Sequence, residues 1–303
     1  MEIVIDNVTD FDLDHIFNCG QAFRWNRRDD GSFAGIIGCG VGHRFANISF
    51  SQDESASRFG RVVISVERGG RGDKEDEKSE RAFWTRYLDL DRDYGEIKRR
   101  LSENDEVMAN AISYGEGIRI LNQDPWETLI SFIISQNNHI PRIKACIESL
   151  CREHGERLNT REGGNHHGFP DMETLAGVSA EQLSACRLGY RAGYIVEAAE
   201  QVIRFGGMEF LDALRDVGFD EAMRALLSIR GVGPKVAACV ALFGLGHTEG
   251  FPVDVWISRA MQELYSLDVD NRGRLSDYAK ERFQGYAGIA QQYLFFYMRE
   301  RKK

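Results

Sequence analysis

A lysine follows a glycine-rich turn in the segment 227–239, which reads LSIRGVGPKVAAC. One helix is expected to end at Ile229, and Pro234 suits the first position of the next helix. Gly231 and Gly233 allow positive φ and leave no Cβ in the way of a ligand. Because the second helix begins with unpaired N–H groups and the positive end of its dipole, it can bind a phosphate. The segment predicts a helix–hairpin–helix, which could hold a DNA phosphate without basic side chains, although a GVG turn by itself also suits an ordinary connection between helices.

Lys235 and Asp254 are the residues best suited to catalysis. Lys235 falls in the first turn of the second helix, where the dipole disfavours a cation and so favours the neutral, nucleophilic amine. Nineteen residues later, Asp254 ends the sequence PVD and can cap a helix expected at 255–265 while staying ionised. A neutral amine beside a fixed carboxylate suits a reaction at a carbon that develops positive charge. A surface lysine and a structural N-cap are the alternatives, and the combination at this spacing argues against both.

The elements before these residues are predicted from short-range patterns. Within about the first hundred residues, short segments rich in aromatic and β-branched residues alternate with Gly, Asp and Ser, which is typical of strands. Strands are expected at 32–37, 44–50 and 61–66. The segment 67–81, ERGGRGDKEDEKSER, is almost all charge and glycine, so we expect an exposed mobile loop at a hairpin tip. Contact with DNA is its alternative role.

From Tyr94 onward the pattern predicts helices. Asp124 and Pro125 mark a helix start, with Asp as N-cap and Pro in the first position, and Pro141 starts another helix that runs to about Cys151. Further helices are expected at 191–205, 219–229, 234–244, 255–265 and 288–299. The prediction is an α+β chain with an antiparallel β-sheet domain at 1–104 and an all-helical, two-lobed domain at 105–303.

Composition bounds the class of protein. The 303 residues are 43% hydrophobic, which is enough for two folded domains, and the net charge is −9. An acidic chain argues against DNA as the partner, because a nonspecific nucleic-acid coat and a membrane-surface binder are both normally basic. The longest apolar run is too short to span a membrane, and the N-terminus lacks the pattern of a signal peptide. Six cysteines without a CxxC pair indicate reduced thiols and a cytoplasmic protein. His166 and His167 are expected in a solvated loop, not in a metal site.

At this point the sequence closely resembles the helix–hairpin–helix DNA glycosylases and, among them, the 8-oxoguanine DNA glycosylase/lyases. The hairpin with Lys235 and the aspartate of PVD carry the resemblance to the superfamily. The narrower resemblance rests on five separate segments: CGQAFRW at 19–25, QDP at 123–125, NN at 137–138, GYRA at 189–192 and YAGIAQ at 286–291. Because the matching residues run from 19 to 295, the resemblance covers nearly the whole chain.

The resemblance implies a bifunctional DNA repair enzyme that acts as a monomer on double-stranded DNA containing 8-oxoguanine opposite cytosine. Its first domain would resemble the TATA-binding protein fold. The damaged base is flipped into a pocket, and the lysine matching Lys235 attacks the sugar C1′ and forms a Schiff base. Elimination of the 3′ phosphate then nicks the strand, with Asp254 stabilising the cationic state. No organic cofactor or catalytic metal is implied, although hairpin carbonyls could hold a structural cation.

The resemblance also assigns the other site residues in three groups. The base pocket is formed by Gly20, Cys239, Gln291 and Phe295. The wedge and the contacts to the opposite base are formed by Asn137, Arg142, Tyr190 and Arg191. The DNA phosphates are bound by Gly231, Gly233, Val236 and Trp256. The alternatives left open are an ordinary turn glycine for Gly20, helix core for Phe295 and solvated side chains for the two arginines.

Three positions depart from the pattern of the family. Trp256 stands where related eukaryotic enzymes often have histidine, Met298 where they often have aspartate, and His139 where a third asparagine often occurs. A charge pair near the lesion phosphate would thus become an apolar pair, so phosphate binding there would rely more on backbone groups.

We expect a prokaryotic enzyme. The competing functions are an alkylated-base DNA glycosylase, which usually lacks the hairpin lysine, and a noncatalytic binder of DNA structures, which has no need of Asp254.

Overall fold

The N-terminal part of the chain is built on an antiparallel sheet. The computed structural model describes residues 1–38, 42–52, 59–68, 76–161, 163–268 and 272–301. Within them the sheet has five strands in the order β1-β5-β4-β3-β2. The strands are β1 Glu2–Val8, β2 Trp25–Arg27, β3 Phe33–Ile37, β4 Arg44–Gln52 and β5 Gly60–Arg68. The three predicted strands are confirmed, and each is extended or trimmed by one or two residues at its ends.

Helices follow in chain order, and those of eight or more residues mostly match the expected positions. Their bounds are α1 Leu13–Asn18, α2 Glu77–Tyr87, α3 Tyr94–Ser102, α4 Glu106–Tyr114, α5 Pro125–Ser135, α6 Ile140–His154, α7 Met172–Ala176, α8 Arg191–Phe205, α9 Met208–Ala213, α10 Phe219–Leu227, α11 Pro234–Phe243, α12 Val255–Tyr265, α13 Arg272–Phe283 and α14 Ala287–Glu300. Two short strands, β6 Arg157–Leu158 and β7 His166–His167, pair between α6 and α7. The two histidines therefore lie in a strand and not in the predicted loop.

The charged segment 67–81 corrects the sequence prediction. Residues 69–75 lie outside the described residues, but Glu67 and Arg68 complete β5, and the helix α2 begins at Glu77. Asp76 caps this helix by accepting from Ser79 N at 2.8 Å. Glu80 is buried and pairs with Arg44 at 3.1 Å. The prediction was wrong for 77–81 because the charge run hides an N-cap and the start of a buried helix face.

The helices form two packed groups. The first contains α3, α4, α12, α13 and α14, and the second contains α5 through α11. The helix α5 is the centre of the second group, because nearly every residue from Pro125 to Ile134 is buried and α11 packs directly on it. Burying each large apolar side chain contributes roughly 1.5–3 kcal/mol. The expected architecture, an antiparallel sheet followed by a two-lobed helical part, is confirmed.

Candidate active site

The hairpin forms where the sequence predicts it. The helix α10 ends at Leu227, two residues earlier than expected, and Val232 N donates to Ile229 O at 3.1 Å across the turn. Gly231 has φ +82°, and a Cβ there would lie 2.6 Å from Tyr194 Cβ. Glycine is therefore required at this position on two grounds, its backbone conformation and the space available.

The start of α11 presents free N–H groups. Pro234 has no N–H, and the first intrahelical hydrogen bond runs from Ala237 N to Gly233 O at 2.9 Å. The N–H groups of Lys235 and Val236 consequently point out of the helix start, and Gly233 supplies no side-chain cap to occupy them. The side chain of Val236 is buried, so what this residue offers to a phosphate is its backbone.

The amine of Lys235 lies in a half-buried position between α11 and α5. Its Nζ donates to Ser135 Oγ at 3.1 Å and lies 4.9 Å from the centroid of the Phe132 ring. One turn further along α11, burial raises the pKa of the Cys239 thiol to about 11, while the charge of Lys235 and a hydrogen bond to it act in the opposite direction. The carboxylate of Asp254 raises the pKa of the same thiol. The structure thus brings Lys235, Cys239 and Asp254 within electrostatic reach of one another.

Asp254 is held by the element it precedes. It is the N-cap of α12, with extended backbone, and its Oδ1 accepts from Ile257 N at 2.8 Å. The residues before it, Phe251 and Val253, are buried and anchor the approach to the helix. The two packed groups of helices contribute Lys235 and Asp254 separately, and the charges of both act on the Cys239 thiol.

A second set of residues brings the β-sheet domain into contact with the last helix. Gly20 has φ +81°, and a Cβ there would lie 3.2 Å from Phe295 Cε1 and 3.5 Å from Ile140 Cδ1. Gln291 is 4% exposed, and its Oε1 accepts no hydrogen bond from the described residues. A buried polar atom without a partner costs about 1–3 kcal/mol, so a partner supplied by a ligand is a natural explanation. These residues and Cys239 are the four that the resemblance assigns to the base pocket.

Two glutamines hold the Gly20 loop in place. Neither of them was given a role in the sequence analysis. Gln21 is buried, donates through Nε2 to Ile16 O at 2.9 Å and to Arg119 O at 2.8 Å, and accepts from Leu121 N at 2.9 Å. Gln123 Nε2 donates to Gln21 O at 2.8 Å. Both lie inside the matching segments CGQAFRW and QDP, so the signal was present in the sequence. Their roles were missed because the partners are about a hundred residues away.

The predicted wedge and its neighbours lie together at the end of α5. Asn137 is exposed and adopts the left-handed φ of +47°. Arg191 is buried, and its guanidinium donates to Gln136 O at 2.8 Å, to Asn137 O at 3.0 Å and to Leu188 O at 3.0 Å. Tyr190 is 56% exposed. Arg191 therefore holds the backbone of the wedge, a role that the sequence did not suggest.

Arg142 and Trp256 lie at the edges of the site. Arg142 is exposed in the first turn of α6, where its backbone N donates to His139 Nδ1 at 3.4 Å. Trp256 is half-buried, and the guanidinium of Arg259 lies 5.5 Å from its ring centroid. Met298 is fully buried in α14, which packs against α12. The two departures from the family pattern thus lie on neighbouring helices.

The donor groups that could hold a metal ion are spread over the chain. Among the described residues, no group of three or more His, Cys, Asp or Glu side chains is arranged to hold a metal ion. At the hairpin, Ile229 O and Gly231 O already accept from Val232 N and from Gln136 Nε2. Each carbonyl oxygen keeps a second lone pair that could coordinate a cation, and the structural cation at the hairpin stays a prediction.

Two family models match consecutive parts of the chain. The model described as 8-oxoguanine DNA glycosylase, N-terminal domain, matches residues 3–129. The model described as HhH-GPD superfamily base excision DNA repair protein matches residues 130–284. The fold and the site therefore define a helix–hairpin–helix base excision repair protein.

Individual relatives narrow this class. The chain is 32% identical over 296 residues to the N-glycosylase/DNA lyase of Arabidopsis thaliana, covering 95% of this chain and 77% of that protein. It is 31% identical over 283 residues to the N-glycosylase/DNA lyase of Saccharomyces cerevisiae, covering 89% and 72%. The Clostridium acetobutylicum 8-oxoguanine glycosylase/lyase, solved with double-stranded DNA containing cytosine opposite 8-oxoG, superposes with a TM-score of 0.84 at 33% identity and covers 100% of this chain and 99% of that one. The chain belongs to the 8-oxoguanine DNA glycosylase family.

Proposed function

We propose that this enzyme excises 8-oxoguanine opposite cytosine from duplex DNA and then nicks the abasic strand, with Lys235 as nucleophile and Asp254 as the stabilising carboxylate. The observation that carries the proposal is that the charges of Lys235 and Asp254 both act on Cys239, one of the residues that the resemblance assigns to the base pocket. The amine proposed to attack therefore lies within electrostatic reach of a residue proposed to hold the flipped base.

The reaction requires a neutral amine and a carbon that can carry positive charge. As the bond between C1′ and the base breaks, the base leaves with the electron pair, and the carboxylate of Asp254 stabilises the cationic sugar. The Nζ of Lys235 forms a bond to C1′, and loss of its proton and opening of the sugar ring give a Schiff base. Removal of a proton from C2′ then expels the 3′ phosphate, which breaks the strand. Ser135 Oγ holds Nζ in place before the attack.

Selectivity for the damaged base follows from one proton. Guanine N7 accepts a hydrogen bond, whereas 8-oxoguanine has a hydrogen on N7 and donates one. A carbonyl oxygen of Gly20 placed at N7 would stabilise the lesion and repel normal guanine, a difference of about 1–3 kcal/mol for a buried mismatch. Gln291 would read the Watson–Crick edge with its unpaired Oε1, and the ring of Phe295 would stack on one face of the base, opposite Cys239.

The space that the flipped base leaves must also be filled. Asn137 projects from the left-handed end of α5 and would enter the duplex there, with exposed Tyr190 beside the opposite strand. Arg142 would donate to the orphan cytosine, as would the part of the Arg191 guanidinium not used by the wedge backbone. Gly231, Gly233 and the N–H groups of the α11 start would bind the phosphates, with Trp256 at the start of α12.

The decisive experiment traps the Schiff base. Sodium borohydride added during turnover on a duplex containing 8-oxoguanine opposite cytosine should link the protein to DNA, and Lys235→Gln should abolish the adduct. End-labelled duplexes with each of the four opposite bases, analysed with and without alkali, separate excision from nicking. Product that appears only after alkali removes the lyase activity from the proposal, and no product removes the glycosylase activity.

The two competing functions predict different chemistry. An alkylated-base glycosylase would release 3-methyladenine and form no borohydride adduct. A noncatalytic binder would retain damaged duplex without product. Lys235 at the hairpin and Gly20 against Phe295 argue against the former, and Asp254 argues against the latter.

Location, assembly and domain division are further proposals. We infer a monomer in the cytoplasm of a prokaryote. The relatives above include a yeast and a plant protein, so similarity does not restrict the source. Among the described residues, no helix is both long and apolar enough to cross a bilayer. Light scattering should give the mass of one chain, and limited proteolysis would test the division into 1–104 and 105–303.

A further inference from the structure

Arg299, on the last helix, contacts Phe295 and also the backbone of Asn18, two residues before Gly20. Arg299 lies four residues after Phe295 on α14, so the two side chains share a helix face. Its guanidinium carbon lies 5.4 Å from the centroid of the Phe295 ring, within the range of a cation–π contact. The side chain is only 14% exposed, and its ion pair with Glu300 measures 3.0 Å.

The same guanidinium reaches the loop that carries Gly20. Arg299 Nη2 donates to the carbonyl oxygen of Asn18, two residues before Gly20. Burial raises the pKa of the Cys19 thiol to about 12, and the charge of Arg299 is the largest opposing effect. Gln292, on the same helix, places Nε2 3.6 Å from Cys19 Sγ. The loop at 18–20 is therefore fixed to α14 and not only to its own sheet.

We propose that Arg299 is a positioning residue for lesion recognition, which fixes the Gly20 carbonyl relative to the plane of the Phe295 ring. The inference rests on the proposed function, because it takes Gly20 and Phe295 as the walls that hold the flipped base. These walls come from distant parts of the chain, and a Cβ on Gly20 would already approach the ring to 3.2 Å. Hydrogen-bond discrimination at N7 depends on distance and angle, so the two walls must keep a fixed separation. Arg299 contacts the Phe295 ring and the Asn18 carbonyl, so it connects the ring with the backbone that leads into Gly20.

The test compares two steps that need the base to different degrees. Excision of 8-oxoguanine requires both walls, whereas nicking of a preformed abasic site uses Lys235 with no base in the pocket. Arg299→Gln should slow single-turnover excision roughly ten- to hundredfold, the scale of a misplaced reactant, and leave nicking of the abasic site within about twofold. Arg299→Lys keeps a cation but only one compact donor group, so it should restore excision in part.

A matched control exists on the same helix end. Arg301 stacks on Tyr297, with its guanidinium carbon 5.7 Å from the ring centroid, and no contact of Arg301 with the pocket residues is seen in the described part of the chain. Arg301→Gln removes the same charge, and it should change neither step.

Three outcomes would overturn the inference. They are normal excision by Arg299→Gln, an equal loss of excision and nicking, and a loss shared by Arg301→Gln. If Arg299→Gln does not fold, as judged by its melting curve, Arg299→Lys carries the comparison, and excision equal to wild type would then overturn it. Failure of the proposed function looks different, because wild-type protein would then neither excise the lesion nor form a borohydride adduct.

Discussion

At the scale of single residues, the structure separates two arginines that sequence analysis treated alike. Arg191 is buried and uses its guanidinium on three backbone carbonyls of the wedge and of the turn before α8. Arg142 is exposed, and its guanidinium makes no hydrogen bond or ion pair to the described residues. Arg191 therefore supports the backbone at the predicted wedge and keeps only part of its guanidinium for the opposite base, whereas the whole guanidinium of Arg142 is available to DNA.

Their alanine variants should consequently behave differently. Arg191→Ala leaves buried carbonyls without donors, so it should cost about 1–3 kcal/mol of unfolding free energy and slow excision opposite every base. Arg142→Ala should leave the melting temperature unchanged. It should reduce the ratio of the excision rate opposite cytosine to the excision rate opposite adenine. Excision rates on duplexes with each opposite base, together with thermal melts, measure both effects. An altered base preference in Arg191→Ala without loss of stability would contradict the separation.

Phe295 allows a similar separation of binding from folding. Its ring is half-buried, and stacking of a base on an aromatic ring contributes roughly 1–3 kcal/mol. Phe295→Ala should therefore weaken binding to lesion duplex by about tenfold or more, with a smaller loss of stability than the 3–5 kcal/mol of a fully buried phenylalanine. Fluorescence anisotropy with a slowly cleaved lesion duplex measures the dissociation constant, and thermal melts measure the loss of stability. Intact binding beside a lowered melting temperature would assign the ring to the core.

At the scale of elements, one side chain connects the wedge to the hairpin. Gln136 Nε2 donates to Gly231 O at 3.0 Å, while the backbone carbonyl of Gln136 accepts from Arg191. The end of α5, the turn before α11 and the start of α8 are thus joined at one residue. The parts of the site proposed to hold the lesion strand and the opposite strand cannot move independently.

Removing the hydrogen bond that Gln136 Nε2 donates to Gly231 O should uncouple the end of α5 from the hairpin. Gln136→Glu keeps the size of the side chain but sets a carboxylate against Gly231 O, so excision should fall by about tenfold or more, the scale of one lost buried hydrogen bond with repulsion added. Gln201→Glu is the matched control. The side chain of Gln201 accepts a hydrogen bond from Arg230 N on the other side of the hairpin, and the carboxylate of a glutamate at this position would accept the same hydrogen bond. Single-turnover rates of the two variants should differ. Equal rates would show that the hydrogen bond to Gly231 is dispensable.

The hairpin and α2 show what sequence patterns can and cannot predict. The turn at Gly231 is local, because glycine and proline determine the backbone within a few residues, and it was predicted together with Lys235. The start of α2 was missed because its burial depends on Arg44, more than thirty residues earlier. The wedge support by Arg191 was missed for the same reason, since its acceptors lie more than fifty residues away along the chain. Long-range hydrogen bonds to backbone carbonyls leave no periodic signal in a sequence.

At the scale of the whole molecule, a charge cluster around the buried Arg24 joins the sheet to the helices. Arg24, next to β2, donates to Glu148 Oε1 on α6 at 3.0 Å and to His167 O on β7. Glu127, in the first turn of α5, lies near the same guanidinium. Burial raises the pKa of Glu127 to about 8, and the charge of Arg24 opposes this shift. The net charge of −9 hides such local balances, so it was a poor guide to the partner of the protein.

The raised pKa of Glu127 predicts a pH dependence of stability. Between its ordinary pKa of 4.5 and about 8, the folded protein binds more protons at this group than the unfolded chain does. Its contribution to stability is therefore present at low pH and is lost as the pH rises through about 8, by at most about 1.4 kcal/mol per pH unit. Glu127→Gln should remove this part of the slope. Urea melts of both proteins from pH 5 to pH 9 measure it, and parallel curves would contradict the expectation.

The position of Lys235 on α11 has a consequence for how damage is located along a strand. The N–H groups that would hold a phosphate and the amine that would attack the sugar belong to adjacent residues of one rigid helix, where the rise is about 1.5 Å per residue. If the proposed roles hold, the helix fixes the distance between the bound phosphate and the sugar that is attacked, whatever the neighbouring bases are. Replacing that one phosphate by an uncharged methylphosphonate would remove the charge that the N–H groups at the start of α11 are proposed to bind. The enzyme would then lose its register on the strand even with the lesion itself intact.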